Sequence, residues 1–438
     1  MSQTVSIVTL GCKTNQFESA AMSEQLKIAG YQQVDFDAGA ELVIVNTCTV
    51  TAATDSQSRN LIRRARRINP QSRVVVTGCY AQIDPKSLVD LPGVALVIGN
   101  QEKTDFLQRL TALDDGPPQI SVADIRQVEQ AEALPLHSFE QRSRAFVQIQ
   151  NGCDAFCSYC IIPYARGRSR SVAVADVVKQ LENLSAAGYP EVVLTGIHIG
   201  NYGQDLQPQL ALLQLLQQID KSAFSGRLRL GSIEPTELPE ELLTYIAEAD
   251  WICPHYHIPL QAGNDEILQQ MNRHYTTAFF RKLLFDIRER QPDAAIGLDI
   301  ITGFPGETEQ QFEATCQYLE SLPFSHLHVF PFSKRPGTPA AEMKAQLPGN
   351  IIKARAAKLR EIGQRKINEY AARFLEQSLE IVIEGGEHDG WKKGLSRHYL
   401  PVWVDAAAAE QGDCLFVRVT EVVDGGLRGQ TDKVTAAN

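Results

Sequence analysis

Three cysteines close together near the middle of the chain constrain its fold and chemistry more than any other sequence feature. Cys153, Cys157 and Cys160, the loop triplet, follow the pattern C-x3-C-x2-C directly after a predicted β-strand. Three thiolates at this spacing can ligate one face of a four-iron cluster, and the missing fourth ligand leaves one iron open. A ferredoxin would supply four cysteines and a zinc ribbon a second pair, and neither is present nearby. The spacing therefore predicts an iron–sulfur centre with an open coordination site.

From the strand before this triplet onward, short apolar runs alternate with amphipathic helical segments such as residues 174–187 and 277–290. Alternation of this kind predicts parallel strands covered by helices. Six βα units in succession indicate a barrel or partial barrel, with the triplet in the loop that leaves its first strand. The predicted strands cover residues 146–150, 191–195, 228–232, 255–258, 296–302 and 326–330.

The first hundred residues show the same alternation, with helices expected at residues 18–29 and 56–68 and strands at 5–10, 42–46, 74–78 and 93–98. Three cysteines, the sheet-edge triplet, come just past the ends of the first three strands: Cys12, Cys48 and Cys79. Because the carboxyl ends of parallel strands share one edge of a sheet, these cysteines are expected to converge. A single cysteine in such a place usually packs in the core. Three at equivalent positions favour a second metal or iron–sulfur site with an open position.

The fold class expected from these patterns is α/β, with three folded parts and a linker. Residues 1–112 are expected to form an N-terminal parallel α/β sheet domain, and residues 139–372 the partial (β/α)6 barrel. Residues 373–438 hold short apolar runs and a glycine-rich end, which predict a small all-β barrel. Between the first two parts, residues 113–138 lose the alternation and contain Asp114, Asp115, Gly116, Pro117 and Pro118. This segment is expected to be a linker.

Composition and charge exclude several functional classes. Hydrophobic residues make up 44% of the 438 positions, which excludes a disordered chain. A net charge of −10 argues against a protein whose whole surface binds nucleic acid or anionic lipid. No apolar run is long enough to cross a bilayer and no secretory signal is evident, so a cytoplasmic protein without a membrane partner is expected. Nine unevenly spaced cysteines are too sparse for a disulfide scaffold, which favours metal or redox chemistry.

The loop triplet and the segments that follow it resemble the radical S-adenosylmethionine superfamily. Each segment lies at the C-terminal end of a predicted barrel strand, where barrel active sites are assembled. The segments cover residues 194–198, 231–235, 257–263, 299–307 and 329–333. Two further features make the resemblance within this superfamily more specific. They are the separated N-terminal cysteines and the terminal β module, which is similar to a TRAM domain. Over essentially its full length the chain resembles the radical S-adenosylmethionine methylthiotransferases.

This resemblance implies S-adenosylmethionine and two [4Fe-4S] clusters as cofactors. All six cysteines would be catalytic metal ligands. The loop triplet would hold the cluster that cleaves S-adenosylmethionine to a 5′-deoxyadenosyl radical, and the sheet-edge triplet would hold a cluster that donates sulfur. Considered alone, each residue of the other motifs could equally cap a helix or form a turn. Considered together, six are expected to bind S-adenosylmethionine: Tyr159, Thr195, Gly196, Ser232, Glu234 and Asp299.

Residues 10–19, 46–51 and 159–167 are most similar to the branch of this family that acts on N6-threonylcarbamoyladenosine at position 37 of tRNA. The resemblance implies a transferase that attaches a methylthio group to C2 of that adenine. Its partners would be the anticodon loop of tRNA, S-adenosylmethionine, an electron donor and a sulfur source. The alternative is the same chemistry on isopentenyladenosine tRNA or on a ribosomal protein. A non-catalytic iron–sulfur protein that binds RNA or carries electrons is disfavoured, because neither triplet has a fourth cysteine.

Basic residues predict contacts to tRNA at two places, although such charges often only face solvent. Four arginines recur at helical spacing, namely Arg59, Arg63, Arg66 and Arg67, and three follow the loop triplet, namely Arg166, Arg168 and Arg170. Arg168 is also the candidate partner of the threonylcarbamoyl carboxylate. The terminal module has four more acidic than basic residues, so it is a poor general RNA binder. A local basic and aromatic patch is expected there from Lys392, Lys393, Arg397, Tyr399 and Trp403.

Overall fold

The computed structural model of the protein describes residues 3–114, 116–131, 134, 136, 139 and 143–431. Its N-terminal part is a parallel sheet with the strand order β2-β1-β3-β4-β5-β6. The strands are β1 (Thr4–Thr9), β2 (Gln32–Gln33), β3 (Leu42–Thr47), β4 (Arg73–Gly78), β5 (Val94–Ile98) and β6 (Gln119–Ser121). The α-helices between them are α1 (Lys13–Ile28), α2 (Ala52–Ile68), α3 (Cys79–Ile83), α4 (Pro85–Val89) and α5 (Phe106–Thr111).

Runs of β-branched residues explain why β3 and β4 lie in the middle of this sheet. Both strands are buried along almost their whole length, and their valines pack against α2 on one face. Because β1, β3 and β4 are adjacent and parallel, their carboxyl ends lie side by side. The sheet-edge triplet follows these three ends, with Cys12 before α1, Cys48 after β3 and Cys79 at the start of α3.

The segment 113–138, predicted as a linker, contributes a strand to the sheet. Residues 119–121 form β6, which pairs with β5 in parallel. The prediction missed this strand because its one apolar residue, Ile120, is exposed, so no alternating pattern marks it. Asp115, most of residues 132–142 and residues 432–438 lie outside the described part of the chain. The domain boundaries at 112, 138 and 372 stay a prediction.

Six parallel strands in sequential order form the predicted open barrel. Two sheets, β7-β10-β11 and β12-β13-β14, are joined by a bridge between Ser232 and His257 and a second between Leu228 and Ile252. The strands are β7 (Arg144–Gln148), β10 (Glu191–Thr195), β11 (Arg227–Leu230), β12 (His255–Gln261), β13 (Ala295–Thr302) and β14 (His326–Pro331), with the short pair β8 (Gln150–Asn151) and β9 (Arg170–Ser171). The helices are α6 (Ile162–Arg166), α7 (Val174–Ala186), α8 (Leu212–Asp220), α9 (Glu240–Glu248), α10 (Asp265–Gln270), α11 (Thr277–Arg290), α12 (Glu309–Glu320), α13 (Pro339–Glu342) and α14 (Gly349–Ala372).

The N-terminal sheet and the barrel share a hydrophobic core. Phe17 and Ala21 on α1 are buried in the same cluster as Phe146 and Val147 of β7. Phe17 and Ala21 are four residues apart, so both side chains lie on one face of α1. This contact holds the beginning of α1 against the carboxyl ends of the barrel strands, so the sheet-edge triplet meets the barrel mouth.

The terminal module is a closed five-stranded barrel in the order β15-β16-β17-β19-β18, as predicted for a small all-β barrel. Its strands are β15 (Ser378–His388), β16 (Trp391–Ser396), β17 (Pro401–Asp405), β18 (Cys414–Val423) and β19 (Gly426–Thr431). Phe374 beyond α14 is buried in its core. Glu384 forms an ion pair with Arg144 at the start of β7, which attaches the module to the amino-terminal end of the large barrel. Among the described helices, none is long and apolar enough to cross a membrane.

Candidate active site at the barrel mouth

Close contacts between the loops that follow β1, β3 and β4 draw the sheet-edge triplet together. Asn15 Nδ2 donates to the carbonyl oxygens of Leu10 and Thr47 at 2.7 and 2.9 Å. Gly78, with φ of +97°, lies so close to the neighbouring loop that a Cβ atom there would be 2.3 Å from the Thr47 carbonyl oxygen. Glycine is therefore required at this position, and its backbone conformation leads Cys79 toward the loop that carries Cys48.

The three thiols of the sheet-edge triplet differ in exposure. Cys48 and Cys79 are buried, whereas Cys12 is exposed. Burial, followed by the influence of Cys79, raises the pKa of Cys48 to about 12. A thiol with this pKa stays protonated at neutral pH unless a bound cation stabilises the thiolate. The site therefore suits a metal or iron–sulfur centre better than a free nucleophile.

A buried charged network supports Cys79 from the barrel half of the molecule. Arg166, at the end of α6, is fully buried and donates from Nε to Cys79 Sγ at 3.2 Å. Its other nitrogens bond to Glu18 and Asn15 on α1. Lys103 forms a second ion pair with Glu18. Burial alone would raise the pKa of Glu18, but the two cations hold it below its usual value, so this carboxylate stays ionised.

The loop triplet lies between β8 and α6, in a tightly folded loop. Gly152, with φ of +77°, precedes it, and a Cβ atom there would lie 1.8 Å from the Arg168 carbonyl oxygen. The amide of Cys153 donates to Gly167 O, and the amide of Cys160 donates to Cys157 O, both at 3.0 Å. Burial, with the neighbouring cysteines as a further cause, raises the pKa of Cys160 to about 12. A bound cation would stabilise these thiolates too.

Two polar side chains from the barrel reach the loop triplet. Arg273 Nη1 lies 3.5 Å from Cys157 Sγ and 3.0 Å from Glu234 Oε1. His198 Nδ1 lies 3.6 Å from Cys153 Sγ. Hydrogen bonds to cluster thiolates raise the reduction potential of a cluster, so these residues are placed to tune one. Glu234, predicted to bind the cofactor, has Arg273 as its ion-pair partner.

The outer cavity, with a volume of about 200 Å³, opens beside the loop triplet. Both halves of the molecule line it. Tyr159 and Cys160 come from the triplet loop, Thr51 follows Cys48, and Asp299 and Phe332 come from the barrel. Two residues predicted to bind S-adenosylmethionine, Tyr159 and Asp299, therefore lie in one cavity.

The lumen cavity, with a volume of about 260 Å³, extends from the sheet-edge triplet into the barrel. Cys12, Lys13 and Thr14 form one wall of it. Burial, with Arg229 as the next cause, lowers the pKa of Lys13 to about 8. The rest of the lining includes three residues predicted to bind the cofactor, Thr195, Gly196 and Ser232, together with His255, His257, His326, His328 and Tyr399.

A hydrogen-bonded chain connects the two cavities. Asp299 Oδ1 lies 2.8 Å from His257 Nε2 and 3.2 Å from His328 Nδ1, and Ser232 Oγ lies 2.5 Å from His257 Nδ1. Burial alone would raise the pKa of Asp299, but bonds to the two histidines hold it below its usual range. The ionised carboxylate thus fixes both rings. The ligand atoms of these two histidines and Asp299 lie within 4.8 Å of one another, a spacing that could also hold a metal ion.

The four arginines on α2 that were predicted to contact tRNA divide into two pairs. Arg63 and Arg67 are exposed, as a tRNA contact requires. Arg59 donates to Tyr80 Oη at 2.7 Å and Arg66 to the Ser72 carbonyl at 3.1 Å, so both are engaged within the N-terminal part.

The arginines after the loop triplet are mostly unavailable to RNA. Arg168 is exposed and lines neither cavity. Arg166 and Arg170 are buried, and Arg170 donates to the Arg168 carbonyl at 2.8 Å. The prediction that these two contact phosphates is wrong, because their guanidinium groups bond to protein atoms.

Three of the five residues predicted to form an RNA-binding patch on the terminal module are engaged within the protein. The ring of Tyr399 faces the barrel lumen, with its centroid 4.3 Å from that of His255. Arg397 donates to the Ile252 carbonyl at 3.2 Å, and Lys392 to the Ala409 carbonyl at 2.7 Å. Arg397 and Tyr399 therefore hold the module against the large barrel, and Lys392 is engaged within the module, so these three side chains do not form the predicted patch.

Sequence reasoning missed several residues at the site. Lys13 was passed over although it directly follows Cys12. His257 begins the motif at residues 257–263, and His328 directly precedes the motif at residues 329–333, yet no ligand spacing in the sequence joins them to Asp299. Arg273 belongs to no motif, and only the packing of α10 beside the triplet loop brings it to Cys157.

Comparison with known proteins defines the class. Residues 147–319 match the radical S-adenosylmethionine superfamily, and residues 4–99 match the family described as uncharacterized protein family UPF0004. The radical S-adenosylmethionine methyltransferase TsrM from Kitasatospora setae aligns with a TM-score of 0.58 and 19% identity, over 78% of this chain and 75% of that chain. At this identity the likeness shows the fold. The barrel has the radical S-adenosylmethionine fold, and the matched residues 147–319 include the loop triplet.

Relatives matched over most of their length define the family. Threonylcarbamoyladenosine tRNA methylthiotransferase MtaB of Bacillus subtilis is 39% identical, over 91% of this chain and 90% of the relative. The protein of that name in Rickettsia prowazekii is 40% identical, over 91% of each chain. A tRNA-2-methylthio-N(6)-dimethylallyladenosine synthase of Clostridium tetani is 30% identical, over 97% of this chain and 95% of the relative. The chain belongs to the methylthiotransferase family, as the sequence motifs predicted.

Two [4Fe-4S] clusters and S-adenosylmethionine are the cofactors of this family, and the residues present fit them. Each triplet offers three cysteines, which leaves one iron of a cubane open. Outside the triplets, Cys253 and Cys316 are buried, and Cys414 lies on the terminal module, where its thiol is 3.2 Å from Glu380. Neither triplet therefore has a fourth cysteine among the described residues.

Proposed function

We propose that this protein converts N6-threonylcarbamoyladenosine at position 37 of tRNA into its 2-methylthio derivative. The observation that carries the proposal is the arrangement of two three-cysteine sites around adjoining cavities at one barrel mouth. An electron carrier gains nothing from two open sites and two cavities. Relatives named for this reaction, at 39 and 40% identity over nine-tenths of the chain, support the choice of substrate.

S-adenosylmethionine binds beside the loop triplet, where Tyr159 and Asp299 line the outer cavity. Thr195, Gly196, Ser232 and Glu234 assist from the neighbouring strand ends. When bound, the cluster held by the loop triplet supplies the reductive cleavage of S-adenosylmethionine to a 5′-deoxyadenosyl radical. Phe332 and the other apolar walls of the cavity keep water away from that reactive species.

The overall reaction balances with two molecules of S-adenosylmethionine. One transfers its methyl group to sulfide and leaves as S-adenosylhomocysteine. The second accepts the C2 hydrogen of the adenine together with two electrons, and leaves as 5′-deoxyadenosine and methionine. At C2 a C–H bond breaks and a C–S bond forms. An electron donor that starts the reaction and a source of sulfide complete the proposal.

The anticodon loop is a physically suitable target. A base inside a duplex cannot present C2 to a radical at a barrel mouth, whereas a loop nucleotide can be splayed out at low cost. The exposed side chains of Arg63, Arg67 and Arg168 contact phosphates of the tRNA in this proposal. We also propose that the protein acts in the cytoplasm, because its substrate is tRNA.

One reconstituted preparation tests the proposal against its alternatives. It is incubated with anticodon stem-loops that carry threonylcarbamoyladenosine or isopentenyladenosine, and with ribosomal protein. Mass analysis of the nucleosides and peptides is expected to show methylthiolation mainly of the threonylcarbamoyl stem-loop. Preferential modification of the isopentenyl stem-loop or of the ribosomal protein would contradict the proposed substrate and leave the radical chemistry intact.

A further inference from the structure

We infer that Lys13 binds the carboxylate of the N6 substituent, and that the part of the lumen cavity beside Lys13 and Thr14 is the subsite for this anionic group. The inference rests on the proposed function, because it explains how the site selects the threonylcarbamoyl group over an uncharged one. Lys13 would then be a specificity-determining residue of the reaction.

The ammonium group of Lys13 has no hydrogen-bond or ion-pair partner among the described residues. It lies 5.9 Å from the ring centroid of Tyr399. Lys13 is half-buried and lines the lumen cavity. An ammonium group in such a place is stabilised when an anion binds beside it.

Two buried polar atoms beside the lumen cavity also lack partners. Thr14 Oγ1 and His255 Nδ1 are buried without a hydrogen bond, and both residues line the same cavity. Their residues are 1% and 4% exposed. Buried polar groups are normally hydrogen-bonded, so these atoms indicate a polar ligand. The groups without partners are thus the Lys13 ammonium, Thr14 Oγ1 and His255 Nδ1. A carboxylate that accepts hydrogen bonds from Lys13 and from the Thr14 hydroxyl satisfies two of them.

The charge of the residues around the lumen cavity also favours an anion. No aspartate or glutamate lines the lumen cavity. The carboxylates nearest to it are already engaged: Glu191 is paired with Arg227 and Arg229 at 2.7 and 2.8 Å, and Asp299 is bonded to two histidines. Lys13 thus adds a positive charge that the surrounding protein does not neutralise. The cavity therefore selects an anion and rejects a cation.

The position of Lys13 also suits a contact with the N6 substituent. Lys13 directly follows Cys12, the exposed member of the sheet-edge triplet. In a purine, C2 and the carbon that carries N6 lie on either side of the same ring nitrogen. An adenine whose C2 faces the sheet-edge triplet therefore directs its N6 substituent toward neighbouring residues. Arg168, the carboxylate partner predicted from the sequence, is exposed and lines neither cavity.

The test compares two stem-loop RNAs that differ only in the charge of the substituent. One carries N6-threonylcarbamoyladenosine and the other its methyl ester, which keeps the shape and removes the negative charge. Binding is measured by fluorescence anisotropy, and methylthiolation by mass analysis. The wild-type protein is expected to favour the acid over the ester about 10- to 100-fold, the range of one charge-assisted hydrogen bond.

In Lys13→Met the preference for the acid is expected to disappear, because the affinity and rate measured with the acid fall toward those measured with the ester. An iron content equal to that of the wild type, with 5′-deoxyadenosine formation, shows that this variant is folded and loaded with both clusters. Lys13→Arg is expected to keep most of the preference. Lys179→Met removes an exposed lysine on α7 and is the matched control, with the preference unchanged.

Two outcomes would overturn the inference: an acid preference that survives in Lys13→Met, or one that disappears in Arg168→Ala instead. Neither would touch the proposed function, because the wild type would still modify the acid. If the wild type modifies neither the acid nor the ester but accepts the isopentenyl stem-loop, the proposed function itself fails, and the inference fails with it.

Discussion

The loop triplet takes its cysteines from one short loop, whereas the sheet-edge triplet takes them from three strand ends between residues 12 and 79. The loop triplet is shaped by local hydrogen bonds such as that from Cys153 to Gly167. The sheet-edge triplet depends on the order of strands in a parallel sheet. One site is therefore fixed by local chain geometry, and the other by the tertiary fold.

Both triplets place an arginine beside one sulfur and a glutamate on that arginine. At the loop triplet, Arg273 and Glu234 come from the barrel itself, and Glu234 is partly exposed. At the sheet-edge triplet, Glu18 comes from the N-terminal part and Arg166 from the barrel part, and both are buried. Of the two arginines, therefore, only Arg166 joins the two halves of the molecule.

The largest expected effect follows from removal of the loop triplet. Changing Cys153, Cys157 and Cys160 together to Ala should abolish both 5′-deoxyadenosine formation and methylthiolation, because the cluster that cleaves S-adenosylmethionine is lost. Iron content should fall from about eight to about four atoms per chain. Iron analysis and chromatography of the reaction measure both quantities. A wild-type chain that saturates at four irons would contradict two clusters.

Removal of the sheet-edge triplet should separate the two chemistries. With Cys12, Cys48 and Cys79 changed to Ala, 5′-deoxyadenosine should still form, since the loop triplet is intact, while the methylthio product disappears. The same chromatographic assay detects both compounds. If this variant formed as much product as the wild type, the three cysteines would be core residues and not cluster ligands.

A smaller backbone change should affect only the sheet-edge site. Gly78→Ala would place a Cβ atom 2.3 Å from the Thr47 carbonyl in a backbone conformation that disfavours side chains. We expect partial loss of the second cluster, visible as reduced iron, with 5′-deoxyadenosine formation retained. Gly188→Ala is the control, because its φ is also positive, at +86°, but nothing lies within 4 Å. Equal iron loss in both variants would refute the proposed close contact.

The smallest expected effect concerns tRNA affinity. Arg63→Ala with Arg67→Ala should lower the slope of log binding constant against log salt by about 0.7 to 0.9 per lost phosphate contact, without loss of iron. The matched pair Arg59→Ala and Arg66→Ala should leave the slope nearly unchanged, because these side chains bond within the protein. An unaltered slope in the first pair would mean that this face only contacts solvent.

Patterns that repeat along the chain made most of the fold predictable. Alternating apolar runs marked the strands of the N-terminal sheet and of the large barrel. The geometry of a parallel sheet was enough to predict that Cys12, Cys48 and Cys79 converge. Strand β6 was not predicted, because a three-residue strand whose one apolar side chain is exposed shows no alternating pattern.

Side-chain partners far apart in sequence were not predictable. Arg166 looked like a phosphate contact because a charged residue after a metal-binding loop is usually solvated, yet its partner Glu18 lies 148 positions away. Lys13 and Tyr399 meet only because three separate parts of the chain pack around one lumen. No local pattern encodes such pairs, since their energies depend on burial and on each other.

The pairing of Glu18 with Arg166 bears on how such proteins can be recombined. A chimera that joins the N-terminal sheet of one relative to the barrel of another would bury a carboxylate from one parent against a side chain chosen in the other. If the second parent lacks the arginine, Glu18 keeps Lys103 but Cys79 loses its donor. The N-terminal sheet and the barrel therefore cannot be exchanged independently between relatives. The residues at positions 18 and 166 have to be transferred together.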